Sequence, residues 1–264
     1  MFEIFNYGFL IRSFISLIML SLISSLNGSY LFYKKEFKIL PGLSLALFSG
    51  LVFSKLIDAN YIIYSFTIAL ILLFVILYTR KNKRGFGIYI ITFFIFSFLT
   101  TLLISLVGFY RESISFFLLG NIFTISNNEF LFLIVTTILT ILVYFLFFQY
   151  LKPITFNEKI ARSEGLYVTL YNYFFLLLVS INIILSFRII GLFLILPYLI
   201  LPSMISSKLV RRFDRKFYVA VGINLVISSF SFFLGISYNI NFGLIIILLM
   251  MITLLFVRIL KNNS

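Results

Sequence analysis

A chain of 264 residues that is 62% hydrophobic and 11% charged, with a mean hydropathy of +1.17, has too much apolar surface to hide as a water-soluble domain. Its formal net charge of +13 falls in short clusters between apolar runs and not along one continuous basic face, which excludes nucleic-acid binding and marks membrane topology. With no cysteine and no histidine, disulfides, thiolate chemistry and imidazole acting as base or metal ligand are excluded as well.

The first apolar run, about 9–32, lacks a basic segment before it and continues too far for a cleaved signal, so it reads as a retained span. It stops at Lys34, Lys35, Glu36 and Lys38. A second run, about 40–57, turns at Asp58-Ala59-Asn60. A third, about 61–78, ends at the densest basic cluster, Arg80-Lys81-Asn82-Lys83-Arg84. The fourth, about 88–109, ends at Arg111-Glu112. Residues 113–125, holding Gly120-Asn121, are too few to span and read as re-entrant or interfacial. The next span is about 130–151, followed by the most polar stretch, 152–165. Further spans follow at about 166–187, 189–206, 217–236 and 242–260.

No run shows the strict alternation of a transmembrane β-barrel, so helices must satisfy the backbone in hydrocarbon. The expected fold is therefore all-α, a polytopic transmembrane bundle of about nine spans forming a single domain over 1–264. Eight spans are possible if those flanking a very short turn at Arg188 merge. With nine, every large basic cluster lands on the cytoplasmic side of a bacterial inner membrane, the N-terminus outside and the C-terminus cytoplasmic.

Charges inside the spans are scarce. Arg12 lies near a span end and can snorkel, and no carboxylate sits mid-span. That disfavours an ion-driven carrier, which uses such carboxylates as relays. It equally disfavours an intramembrane hydrolase. The phosphate-binding loop Gly-x-x-x-x-Gly-Lys-Ser/Thr is missing, so the chain hydrolyses no ATP and is no enzyme. Any driving force must arrive from another chain. The segment Thr155-Phe156-Asn157-Glu158-Lys159-Ile160-Ala161-Arg162-Ser163-Glu164-Gly165 can receive it. Thr155 with Glu158 forms a potential capping box and Gly165 a potential helix stop, which predicts a short, charged helix between two spans. An ordinary basic loop is the alternative reading.

Four groups of residues, taken in order, resemble the permeases of the zinc/manganese ABC-transporter family, and the resemblance covers nearly the whole chain. They are Gly28-Ser29-Tyr30 leading into Lys34-Lys35; Phe156, Ala161 and Gly165, with Asn157 in place of an acid; Ile190-Gly191 followed by the run from Leu194 to Pro202-Ser203; and Asn239 with Gly243. The resemblance implies a permease subunit of a bacterial metal-ion importer, a homodimer in membrane lipid without a cofactor. It implies a cytoplasmic ATP-binding subunit and an extracytoplasmic metal-binding protein as partners. It makes Phe156, Asn157, Glu158, Ala161, Glu164 and Gly165 the ATPase-coupling residues, and Gly28, Gly191, Pro202 and Gly243 structural landmarks. After the basic pair the family carries Gly-Asp-x-x-x-His-Ala along the metal's path. Here Pro41 stands for the acid and Leu45 for the histidine, followed by Ala46, and neither replacement can ligate a metal. Either the binding protein outside the membrane selects the ion, or the permease has another substrate or has lost transport. A stand-alone carrier or a lipid-handling membrane protein is the rival from another class.

Overall fold

The computed structural model describes residues 8–57, 63–72, 87–107 and 120–262, and every element among them is helical. In chain order these are α1 (Gly8–Tyr33), α2 (Leu40–Leu56), α3 (Ile63–Leu72), α4 (Gly87–Val107) and α5 (Asn127–Phe156). They continue as α6 (Glu158–Ser163), α7 (Val168–Ile189), α8 (Leu192–Leu209), α9 (Phe213–Tyr238) and α10 (Phe242–Asn262). Short 3-10 turns at Phe37–Ile39 and Ile122–Thr124 precede α2 and α5.

Seven helices, α1, α2, α5 and α7 to α10, are long and apolar enough to cross a bilayer. The shorter apolar helices Ile63–Leu72 and Ile90–Ser105 fall where the third and fourth spans were expected. The expected turn at residues 58–60, the cluster at 80–84 and the pair 111–112 lie outside the described residues. The junction expected at Arg188 is displaced: α7 runs on through Ile189, and the chain turns at Ile190-Gly191, where Gly191 has φ +95°. Helix α5 is longer than the expected 130–151. It opens on a reciprocal capping box, with Ser126 Oγ accepting from the Glu129 N–H and Glu129 Oε2 accepting from the Ser126 N–H at 2.9 Å. At 30 residues and 1.5 Å rise it is long enough to carry Lys152 and Phe156 past the hydrocarbon.

Lipid tails are as apolar as leucine, so burying leucine does not by itself hold such helices together; close packing of small residues and interhelical hydrogen bonds do. Helix α1 supplies both. Its buried positions include Ser21, Ser24, Ser25, Asn27, Gly28 and Ser29. The Asn224 amide of α9 donates to Ser21 O at 3.0 Å, Ser24 Oγ at 3.1 Å and Ser25 Oγ at 2.8 Å. Ser228 Oγ donates to Asn224 Oδ1 at 3.2 Å and lies 3.1 Å from the Tyr198 hydroxyl of α8. On another side of α1, the Tyr144 hydroxyl of α5 donates to Asn27 Oδ1 at 3.2 Å. Helix α1 is thus the post on which α5, α8 and α9 are hung.

Most of the described basic residues gather at one end of the bundle. Tyr33 hydrogen-bonds Ser206 at 3.0 Å, Lys152 pairs with Asp214 at 3.0 Å, and Lys261 Nζ donates to Lys208 O at 3.3 Å. These contacts gather Lys34, Lys152, Lys208 and Lys261 at one end of the bundle, the end that carries α6. At the opposite end Ser13 Oγ donates to Ile122 O at 3.2 Å, and Gly120 lies directly against the Ile190-Gly191 turn. There Arg12 stands 5.9 Å from the centre of the Phe130 ring.

Candidate coupling site and translocation cleft

Helix α6 is six residues long, and both of its ends are closed by specific hydrogen bonds. The expected Thr155 cap is not formed. Thr155 lies inside α5, its hydroxyl donating back to Leu151 O at 2.7 Å and Lys152 O at 2.9 Å. Asn157 takes the capping position, with Oδ1 accepting from the Lys159 N–H at 3.0 Å. Asparagine caps a helix as well as aspartate does, so Asn157 fills this role fully. At the other end the Leu166 N–H bonds Ala161 O at 3.0 Å and the Gly165 N–H bonds Arg162 O at 3.1 Å, with Gly165 at φ +80°. This is a Schellman stop, and a side chain at position 165 would be strained in that conformation even though space is open around it.

The two faces of α6 have separate tasks. Ala161 is fully buried in a small cluster with Ile154 and Val168, against which Leu166 and Tyr171 pack. Its small size therefore serves the protein's own packing. Outward point Ile160, 53% exposed, and Phe156 at the end of α5, 66% exposed, with Lys159 and Glu164 beside them. An exposed isoleucine and phenylalanine amid charges, at the basic end of the bundle, form a surface suited to a protein groove.

Glu158 turns inward. Its Oε1 lies 3.5 Å from Lys34 Nζ and accepts from the Asn172 amide of α7 at 3.4 Å. Lys34 Nζ also lies 3.1 Å from Glu36 Oε1, donates to the Tyr30 hydroxyl at 3.2 Å and donates to Asn172 Oδ1. The Lys34 and Glu36 side chains are each only 3% exposed. The turn that buries them is itself a Schellman stop, in which Lys35 takes φ +60°, Glu36 N–H bonds Leu31 O at 2.9 Å and Lys35 N–H bonds Phe32 O at 3.0 Å. The turn folds Glu36 back beneath α1 to face Lys34.

Pro41 and Leu45 share one face of α2, one turn apart, and both are half-buried. Pro41 lines a cleft of about 470 Å³ with Phe37, Lys38, Phe93, Phe94, Leu196 and Ile200. Among the described residues no three His, Cys, Asp or Glu side chains gather into a metal-binding group. Gly28 is buried where α1 meets α8, and Pro202 is buried inside α8 one residue before Ser203, whose hydroxyl lies 2.9 Å from that of Ser29. Gly243 is the second residue of α10, its N–H donating to Asn241 Oδ1 at 2.9 Å, just after Asn239 has closed α9 in the left-handed conformation.

The profile of the ABC 3 transport family matches residues 6–261. The chain belongs to the ABC 3 transport family. Within it, this member is 24% identical to a probable metal transport system membrane protein of Thermotoga maritima, over 88% of this chain and 82% of that protein. It is 23% identical to the manganese transport system membrane protein MntC of Listeria innocua, over 92% and 87%. Its fold superposes on the structure of PsaBC from Streptococcus pneumoniae in complex with Fab, with a TM-score of 0.86, 20% identity, and coverage of 98% of this chain and 96% of that one. This ABC 3 member is therefore a divergent one with an ABC importer permease-like, all-α fold.

Several residues of the site carried no readable signal in one dimension. Lys34 and Glu36 looked like surface topology charges, and nothing near Asn172 marks it as their partner. Ile160 did carry one, being an isolated apolar residue on a charged helix. The Ser126-to-Glu129 capping pattern was equally open to reading and fixes where α5 begins.

Proposed function

We propose that this ABC 3 chain is the membrane-spanning permease of an importer for a divalent metal ion, driven by a separate cytoplasmic ATP-binding subunit. The observation that carries the reading is α6: a short helix closed at both ends, set among the basic helix ends, offering Ile160 outward beside Phe156 at the end of α5. Docking in a groove of the ATPase, it would convert closure of the nucleotide-binding subunits into a pull on the bundle. A homodimer in lipid, two ATPases and an extracytoplasmic metal-binding protein complete the assembly. The positive-inside rule puts the α6 end in the cytoplasm, with the N-terminus outside and the C-terminus inside.

Manganese is the better-supported cargo. The chain has no imidazole or thiolate to offer along the path, only hydroxyl, amide and carbonyl oxygens and thioethers. Oxygen donors suit manganese, whereas zinc favours nitrogen and sulfur. Pro41 and Leu45 leave selection of the ion to the binding protein. The stand-alone carrier is disfavoured because the described carboxylates, Glu36, Glu129, Glu158, Glu164 and Asp214, all lie at or beyond helix ends. Reconstitution with the ATPase and the metal-binding protein tests the reading: radiolabelled manganese should enter proteoliposomes only with all three present and ATP supplied. Uptake without the ATPase would overturn it.

A further inference from the structure

Helix α6 rests on α5 and α7 through small apolar contacts centred on Ala161, to which the Asn172 amide of α7 adds a hydrogen bond to Glu158 at 3.4 Å. Its reach to α1 is of another kind, the ion pair from Glu158 to Lys34. Lys34 is bound in turn to Glu36, which lies in the turn between α1 and α2. Glu36 O accepts from the Ile39 N–H at 3.0 Å, which ties it into the 3-10 turn that leads straight into α2 and Pro41. One buried ammonium therefore stands between a carboxylate of α6 and a carboxylate at the root of α2. Asn172 braces it from α7, and the Tyr30 hydroxyl, which donates to Asn172 Oδ1 at 3.1 Å, braces it from α1. The Tyr30 ring, 5.4 Å from Nζ and fully buried, seals the cluster from above.

We infer that Lys34 is the positioning residue that transmits movement of α6 to the α1–α2 turn, through the chain Glu158–Lys34–Glu36. This rests on α6 being the ATPase-docking helix. The physical reason is the asymmetry of buried ion pairs: they add little net stability when formed, but separating one strands an uncompensated charge away from water at large cost. Glu158 is itself a third exposed, but Lys34 is not, so water does not replace the carboxylate at the ammonium when Glu158 is displaced. Lys34 follows, and Glu36 follows Lys34, because its own side chain has no more access to water. Movement then reaches the first turn of α2, the helix whose Pro41 lines the cleft between α2, α4 and α8. The apolar contacts around Ala161 cannot do the same, since they slide without a preferred direction. The strained left-handed Lys35 is the cost of this arrangement, because only that turn folds Glu36 back to within 3.1 Å of Lys34 Nζ.

The test uses the full transporter in proteoliposomes with its ATPase and metal-binding protein, measuring ATPase retention, ATP hydrolysis and manganese(II) imported per ATP. Lys34→Met should leave retention and hydrolysis within about twofold but lower the manganese-to-ATP ratio at least about fivefold, and Lys34→Arg should restore most of it. Glu36→Gln, nearly isosteric, keeps Lys34 paired with Glu158 but neutralises the link to α2, and should lower the same ratio should Lys34→Met not assemble. A role in folding alone would lower the amount of assembled transporter at an unchanged ratio. An unchanged ratio in the assembled variants overturns the inference. Ile160→Asp tests the underlying reading separately: if it fails to weaken ATPase retention, α6 is not the docking helix and both fall. If it releases the ATPase while Lys34→Met and Glu36→Gln keep the ratio, only the transmission role of Lys34 falls.

Discussion

Gly28 of α1 lies so close to Leu199 of α8 that a Cβ at position 28 would stand 1.7 Å from the Leu199 carbonyl oxygen and 2.6 Å from its carbonyl carbon. Both atoms are backbone and cannot rotate away, so any side chain at 28 must push the two helices apart. The same interface carries the Ser29–Ser203 contact at 2.9 Å and the Tyr33–Ser206 contact at 3.0 Å, which would lengthen together. Gly28→Ala should destabilise the protein by about 1–3 kcal/mol, the usual cost of overpacking. Gly222→Ala in α9, where a Cβ meets nothing within 4 Å, is the control and should be neutral or stabilising. Thermal denaturation in detergent should show a lowered midpoint for Gly28→Ala and an unchanged or raised one for Gly222→Ala.

Lys35 is exposed and holds φ +60°, a conformation that costs a residue with a Cβ about 1–2 kcal/mol and glycine almost nothing. Lys35→Gly should therefore raise stability by about 1 kcal/mol while keeping the turn. Lys35→Val should lower it, because a β-branched side chain fits that region worst. The pair of melting curves checks both signs.

The sequence showed apolar runs and the basic clusters between them because hydrophobic length and loop charge are one-dimensional properties. Seven of the expected spans are helices of crossing length, and the short helix between α5 and α7 lies where the polar stretch placed it. Whatever depended on which groups meet in space was hidden. Glu158 was read as half of a local capping box, yet its partner is Lys34, far away in the chain. Lys34 was read as a surface charge and is buried. Arg188 was placed at a turn, but apolar periodicity does not mark a helix end, and the turn waited for the next glycine.

The outward face of α6 gives the third prediction. Burying an exposed isoleucine and phenylalanine in a partner's groove concentrates the docking energy in those two side chains. Ile160→Asp and Phe156→Ser should each weaken ATPase association by about tenfold or more, a loss typical of an interface anchor. Membrane insertion should be unaffected; the melting temperature should hold for Ile160→Asp and fall slightly for Phe156→Ser, which loses its contact with the Phe213 ring 4.7 Å away. Pull-down of the ATPase with the tagged permease gives the comparison. Asn157→Asp should bind as the unmodified protein does, while Asn157→Ala should lose about 1 kcal/mol of helix capping.

The last prediction concerns the missing ligands. A cation crossing hydrocarbon must exchange its water for protein donors, because a buried unpaired charge is costly. Pro41 and Leu45 offer none at the two positions of α2 that share a face, and Lys38 adds a positive charge to the wall of the same cleft. The purified permease without its binding protein should therefore show no tight zinc or manganese binding by calorimetry. Pro41→Asp with Leu45→His would place a carboxylate and an imidazole one helical turn apart, close enough to reach one ion. Aspartate at the second position of α2 also suits the positive end of the helix, so the fold should tolerate it. The double variant should gain a zinc site that neither single variant has. Adding Lys38→Gln should strengthen it further by removing the like charge. A tight site in the unmodified protein would mean that oxygen donors elsewhere suffice. No gain in the triple variant would mean that the face shared by positions 41 and 45 is not the one the ion meets.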